Sequence, residues 1–250
     1  MVVSEWVRLP SAWIDKGGLA ELSWKSGGEG ADKIAALMVL IALAHAADQT
    51  SGVARRTYEH IGAATVLSRA KIANGLTVLR RSNLIQPGPE EARSTYRLSN
   101  FPPGHHWAKL PAKSMYAPAD TIAAFAHFQL RRPTELDALK LFLLFLARRD
   151  RNTNLANIGY PKIEQYTGIK RARIKPALSF LAVLPLVYVE RVSASTGISN
   201  AYRIVGLDSY NHLGTRGRAM NRFDLQNSPT DAGTHNQPGG TPPDYTPFLK

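Results

Sequence analysis

Apolar positions in this chain fall into two sets that run in the same order. Ala35, Leu37, Met38, Leu40, Ile41, Leu43 and Ala44 follow Asp32 at helical spacing, which predicts a buried first helix capped by Asp32. A loop over 48–52 follows. Thr57 is placed to cap a short helix over 58–64, then comes a turn at 65–67. Ser68 is placed to cap a longer helix over 69–81, with Ile72, Leu76 and Leu79 on one face. Asn83 ends it. Segments 84–86 and 94–98 then read as a hairpin around the loop 87–93. The second set repeats this order. Leu139, Leu141, Phe142, Leu144 and Phe145 predict a helix over 135–147, and a short helix begins near Pro161, a residue accepted in a first helical turn. The turn Thr167-Gly168-Ile169, a basic helix from Lys170 and a hairpin over 186–192 and 200–205 complete it. Ile122, Phe125, Phe128 and Leu130 predict one extra helix within 119–132.

The two sets also share residues. Trp6-Val7-Arg8-Leu9-Pro10 returns as Trp107-Ala108-Lys109-Leu110-Pro111, both read as extended. Tyr58, Ile61, Thr65, Leu67, Arg69, Ala70, Ile72, Leu76, Leu79, Leu84 and Ile85 return 102 positions later as Tyr160, Ile163, Thr167, Ile169, Arg171, Ala172, Ile174, Leu178, Leu181, Leu186 and Val187. Tyr96-Arg97-Leu98 returns as Tyr202-Arg203-Ile204. Each half therefore reads as a unit of ordinary domain size, 1–101 and 102–207. The expected class is mainly α with small β-hairpins (α+β), arising by internal duplication. Residues 208–250, rich in Gly, Pro, Asn, Thr and Asp and without apolar periodicity, are expected to be a flexible tail.

Composition narrows the chemistry. Hydrophobic residues make up 44% of the 250, enough for real cores. The absence of cysteine excludes disulfides, thiolate metal sites and cysteine nucleophiles. No apolar run reaches the ~18–20 residues of a membrane span, and the stretch 34–47 lies too deep and behind too many charges for a signal peptide. The expectation is a cytoplasmic protein with no membrane partner. The net charge is +12, and residues 102–207 carry +9 of it (15 Lys and Arg against 6 Asp and Glu). An excess of that kind favours a polyanionic partner, nucleic acid first.

The order helix, short helix, turn, helix, hairpin, with the opening Trp6–Pro10, the run 58–70, Leu76 and Leu79, Leu84-Ile85 and the closing Tyr96-Arg97-Leu98, resembles the winged-helix domains of plasmid and phage replication initiators and of small bacterial regulators. The resemblance covers roughly residues 1–207. It implies two tandem winged helices, each with a third helix able to enter a DNA major groove and a hairpin wing beside it.

On that reading the solvent face of each third helix carries the contacts with double-stranded DNA. In the first half these are Ser68, Arg69, Lys71, Asn74, Thr77, Arg80 and Arg81. Arg and Lys suit guanine or phosphate, and Asn suits adenine. In the second they are Lys170, Arg171, Arg173 and Lys175, four cations at a helix start, where cations are electrostatically disfavoured unless an anion is near. Arg55 and Arg56 precede the first short helix, where its N-terminus could meet a phosphate. Two features oppose base reading. Pro176 is expected to kink the second recognition helix, and Glu90 and Glu91 sit in the first wing, where Arg93 alone favours phosphate. Arg131-Arg132 and Arg148-Arg149-Arg151 read as solvated clusters.

Signals of catalysis are weak. His105-His106 lacks carboxylates at ligand spacing, Gly27-Gly28-Glu29-Gly30 lacks the lysine end of a phosphate loop, and no nucleophile triad or paired-histidine metal motif appears. No cofactor and no enzyme activity are expected. Three readings remain: a DNA-binding initiator or regulator, a protein-interaction module acting through the second half or the tail, and an enzyme with an unrecognised site.

Overall fold

The computed structural model describes residues 4–88, 94–102, 104, 106–194 and 197–207, with backbone alone at the described positions within 193–198. Glu90, Glu91 and Arg93 of the expected first wing, His105, and the segment 208–250 lie outside the described residues.

The chain begins with β1 (Trp6–Pro10), two single-turn helices α1 (Ala12–Asp15) and α2 (Gly18–Glu21), and the long helix α3 (Glu29–Ala46). α3 starts earlier than its apolar pattern suggests. Gly28 takes a left-handed turn (φ 96°) that feeds the helix, so Asp32 lies in the first turn rather than at the cap. Every residue from Ile34 to His45 is buried, the mark of a helix packed on all sides. β2 (Val53–Arg55), α4 (Tyr58–Thr65), α5 (Arg69–Arg81), β3 (Ile85–Pro87) and β4 (Thr95–Leu98) follow. Thr57 and Ser68 cap α4 and α5 as expected, accepting from the N–H groups of His60 and Lys71. Asn83 closes α5 in a left-handed conformation, φ 53°. Glycine at position 75 lets α5 lie close on α3, since a Cβ there would sit 3.0 Å from the Ala35 carbonyl carbon. The three strands form one antiparallel sheet in the order β2-β4-β3.

The second half begins with β5 (Trp107–Pro111) and a 3₁₀ turn at Lys113–Met115. The hairpin β6 (Tyr116–Ala117) and β7 (Thr121–Ile122) leads into a 3₁₀ helix, Ala123–His127. The α-helix expected within 119–132 is therefore corrected. Ala119, Asp120 and Leu130 adopt positive φ, which an α-helix excludes. Ile122, Phe125 and Phe128 are buried nonetheless, and their three-residue spacing matches a 3₁₀ turn. Then come α6 (Pro133–Arg148), β8 (Leu155–Ala156), α7 (Tyr160–Thr167), α8 (Arg171–Val183), β9 (Val187–Ala194) and β10 (Gly197–Ile204), with sheet order β8-β10-β9. Pro161 stands in the first turn of α7. Helix α8 runs from Arg171 to Val183 with Pro176 inside it. The imino nitrogen gives nothing to the Ala172 carbonyl, and Pro176 itself is exposed.

Local geometry follows the 102-residue spacing. Thr65 and Thr167 are fully buried, and each donates its hydroxyl to the carbonyl four residues back, Ile61 or Ile163, at 2.6 Å. Asp48 accepts from the N–H groups of Thr50 and Ser51, and Asp150 from those of Asn152 and Thr153. Ala47 bridges Ala54, and Arg149 bridges Ala156.

The halves share one core. Residues Trp6–Pro10 pair antiparallel with Trp107–Pro111 about one central pair of like positions, Arg8 opposite Lys109. The segment after β1 reaches α7, where α2 packs, and the segment after β5 reaches α4, where β7 packs. Hydrogen bonds fix both crossings: Lys140 Nζ donates to the Leu22 carbonyl (3.1 Å), and Thr121 Oγ1 donates to the Ala63 carbonyl (2.9 Å). Arg148 ion-pairs with Asp15 at 2.7 Å and lies over the Tyr166 ring. No helix among the described residues is long and apolar enough to cross a membrane.

Candidate nucleic-acid interface

Helix α5 buries Ile72, Gly75, Leu76 and Leu79 and turns its other side outward. Ser68, Arg69, Asn74, Thr77, Arg80 and Arg81 are exposed. Ser68 spends its hydroxyl on the cap, accepting from Lys71 N–H at 3.3 Å. Two of the expected contacts are tied inward. Asp32 Oδ1 receives Lys71 Nζ at 2.7 Å and Asn74 Nδ2 at 3.1 Å. The α5 cations that project without an ion pair to a described carboxylate are Arg69, Arg80 and Arg81. Arg55 is exposed on β2. Arg56 is half-buried and donates to the Arg55 carbonyl at 3.2 Å. Its charge lies near the Tyr116 phenol, which burial nevertheless pushes up to about 12.

Helix α8 is built differently at its start. Lys170 is the cap residue and makes no side-chain cap bond. Glu164 Oε1 accepts the Arg171 N–H instead, at 2.8 Å. Lys170, Arg171 and Lys175 are exposed, and the Arg171 guanidinium lies 5.5 Å from the Tyr160 ring centre. Arg173 points inward onto Asp137, with an ion pair of 2.6 Å to a carboxylate buried in α6. Burial pushes the Asp137 carboxyl up, against the pull of Arg173 and Lys140. The same burial brings Lys140 down to about 8. Arg173 thus holds α8 to α6, as Lys71 holds α5 to α3.

A cleft of about 570 Å³ opens beside Arg171, between the start of α7 and strand β10. Asn157, Tyr160, Ser199 and Asn200 help line it. Gly159 heads α7 there without a side-chain cap, whereas Thr57 caps α4 in the first half. Gly159 thus offers the first turn of α7 no side-chain acceptor. Among the described residues no group of three His, Asp or Glu side chains is placed to hold a metal ion.

Composition and helix faces marked the basic residues. They gave no sign of the inward ties of Lys71, Asn74 and Arg173, because Asp32 and Asp137 lie far away in sequence. The loop over 48–52 was placed from the sequence, and the recurrence of its aspartate at 150, three residues before Thr153 as Asp48 is before Ser51, is the signal that could have located the matching loop ahead of β8. No protein-family model, curated protein or solved structure matches this chain.

Proposed function

We propose that the chain is a non-enzymatic binder of double-stranded DNA, built from two tandem winged helices that arose by duplication, and that it serves as a replication initiator or transcriptional regulator in the cytoplasm. One observation carries this reading. Arg69 and Arg171 correspond at the 102-residue spacing, stand first in α5 and α8, and are both exposed. A cation at a helix N-terminus is disfavoured by the helix dipole, so its recurrence in both halves is best explained by an anion brought to that place. Arg80, Arg81, Lys170 and Lys175 extend the two basic faces, and the inward ties of Lys71 and Arg173 orient them. On this reading α5 and α8 read bases while neighbouring cations hold phosphates.

The test is fluorescence anisotropy on duplexes taken from a random-sequence selection, titrated at two salt concentrations. A sequence reader binds its selected site ~10³-fold or more above nonspecific duplex. Arg69→Ala with Arg171→Ala lowers that preference strongly. A double variant with undiminished affinity for the selected site overturns the assignment.

A specific observation favours a second reading, a protein partner on the second half. Val183, Tyr188 and Val189 are 78%, 49% and 45% exposed on the end of α8 and on β9, the edge strand of its sheet. A partner that stays bound after nuclease treatment and is lost on Tyr188→Ser would favour it.

A further inference from the structure

The β1–β5 ribbon has one face in the core and one in solvent. Val7, Leu9, Ala108 and Leu110 point inward and are at most 3% exposed. Trp6, Arg8, Trp107 and Lys109 alternate with them and form the outer face. The two indoles stack on each other, with ring centres 5.8 Å apart and planes within 9°. Lys109 Nζ lies 4.7 Å from the Trp6 ring centre, and Arg8 lies 5.4 Å from that of Trp107. Arg151, from the loop after α6, brings a third cation to 5.7 Å from Trp107.

This grouping is costly for a face with only structural duties. Arg8 and Arg151 bring two like charges to one half-buried indole, Trp107, and no described carboxylate pairs with either. The ring faces hold the cations in place and repay part of their repulsion. A guanidinium lying on a ring keeps its edge N–H donors free, and those edges suit phosphate oxygens. The indole faces are already taken by each other and by the cations, so base stacking is not the chemistry on offer. Arg8 and Lys109, corresponding positions of the two halves, stand opposite each other at the centre of the ribbon.

We infer that the outer face of the β1–β5 ribbon, through Arg8, Lys109 and Arg151 seated on Trp6 and Trp107, is a binding site for the phosphodiester backbone of nucleic acid, separate from α5 and α8. It deepens the DNA-binding reading and rests on it for the duplex form of the ligand. The backbone can come from a duplex or from a single strand, and the experiment separates the two.

The full-length chain is titrated by anisotropy with a labelled random-sequence duplex and with a labelled oligo-dT strand over a range of salt. The proteins are the wild type, the triple variant Arg8→Gln, Lys109→Gln, Arg151→Gln, and the single variant Arg151→Gln, which leaves the ribbon strands unaltered. Each lost phosphate contact reduces the slope of log affinity against log salt by about 0.9 on duplex and about 0.7 on a single strand. The triple variant is expected to lose roughly two to three units of slope on duplex and Arg151→Gln about one, with unchanged circular dichroism. A wild type that binds duplex, with slopes unchanged in both variants, overturns this inference and leaves the DNA-binding reading standing. If the wild type binds only the single strand and the variants lose slope there, the ribbon site stands and the duplex reading falls. A wild type that binds neither strand form overturns both.

Discussion

Val66 and Gly168 hold the same place in the two halves, and both are left-handed. Each ends the short helix before the basic one, Val66 at φ 58° and Gly168 at φ 65°. Glycine takes this conformation freely, whereas a β-branched residue pays for it, roughly 1–2 kcal/mol. The Val66 side chain is 60% exposed, so little burial is returned. Val66→Gly should therefore stabilise the protein by about 1 kcal/mol, after allowing for the greater freedom of glycine in the unfolded chain. Gly168→Val should destabilise it by a similar amount through the backbone alone, since a Cβ there meets Ala20 only at an ordinary 3.5 Å. Paired denaturant melts check the opposite signs, and two changes of the same sign would contradict the account.

Contacts made within a few residues are legible in the sequence, and contacts between distant segments are not. The caps at Thr57 and Ser68, the helix end at Asn83 and Pro161 in a first turn are set by contacts within four residues, and all were legible. Strands β2 and β8 span three and two residues, too few to show a period of two, and exist because β4 and β10 offer them an edge. Asp32 fits a cap by its neighbours in sequence, yet its role comes from Lys71 and Asn74, about forty residues on. Of the basic residues on the two long helices, exposure separates Arg69 and Arg171 from Lys71 and Arg173, and no local pattern carries that distinction. The repeated Trp6 and Trp107 were visible as motif positions, but their stacking needs the antiparallel ribbon.

Asp32 bears directly on the α5 face. Its pair with Lys71 is about a third exposed on the lysine side, so it adds at most about 1 kcal/mol to stability. Asp32→Asn removes one negative charge from beside α5 and frees Lys71 for phosphate. On the DNA-binding reading, affinity for duplex rises and the salt slope steepens by about one unit. Salt titrations of wild type and variant read the difference. An unchanged slope would mean that Lys71 stays away from DNA even when released.

His45 makes stability depend on pH. Its Nε2 faces the Pro111 carbonyl at 2.9 Å, where only an N–H can point, so Nδ1 accepts from the Tyr116 hydroxyl at 3.2 Å. Burial brings its pKa down to about 4, against 6.5 when free. Between these values the unfolded chain binds the proton and the folded chain does not. Stability is thus highest above pH 6.5 and declines as pH falls toward 4, by an amount on the order of 3 kcal/mol. Asp137, whose pKa is raised, acts in the opposite sense, so the contribution must be isolated by substitution. Wild type minus His45→Gln should show a difference that grows with pH across this window. A flat difference between pH 4 and 6.5 would remove His45 as the cause.

Pro176 offers the clearest separation of local cost from function. It stands inside α8, exposed, where its ring replaces the N–H that would reach the Ala172 carbonyl. A proline in a helix interior costs about 3 kcal/mol against alanine, and the stiffer unfolded chain returns about 0.4–1 of that. Pro176→Ala is expected to stabilise the protein by about 2 kcal/mol, which is a rise of roughly 4–8 °C in Tm for a chain of this size. Thermal and denaturant melts measure it, with helical circular dichroism rising slightly as the missing bond forms. A loss of stability would mean instead that the ring packs usefully where it lies. With stability gained, duplex affinity decides the rest. Affinity that falls as the helix becomes regular would show that the proline shapes α8 for its ligand, and affinity that holds would show that the bases are read from Lys170 and Arg171 ahead of it.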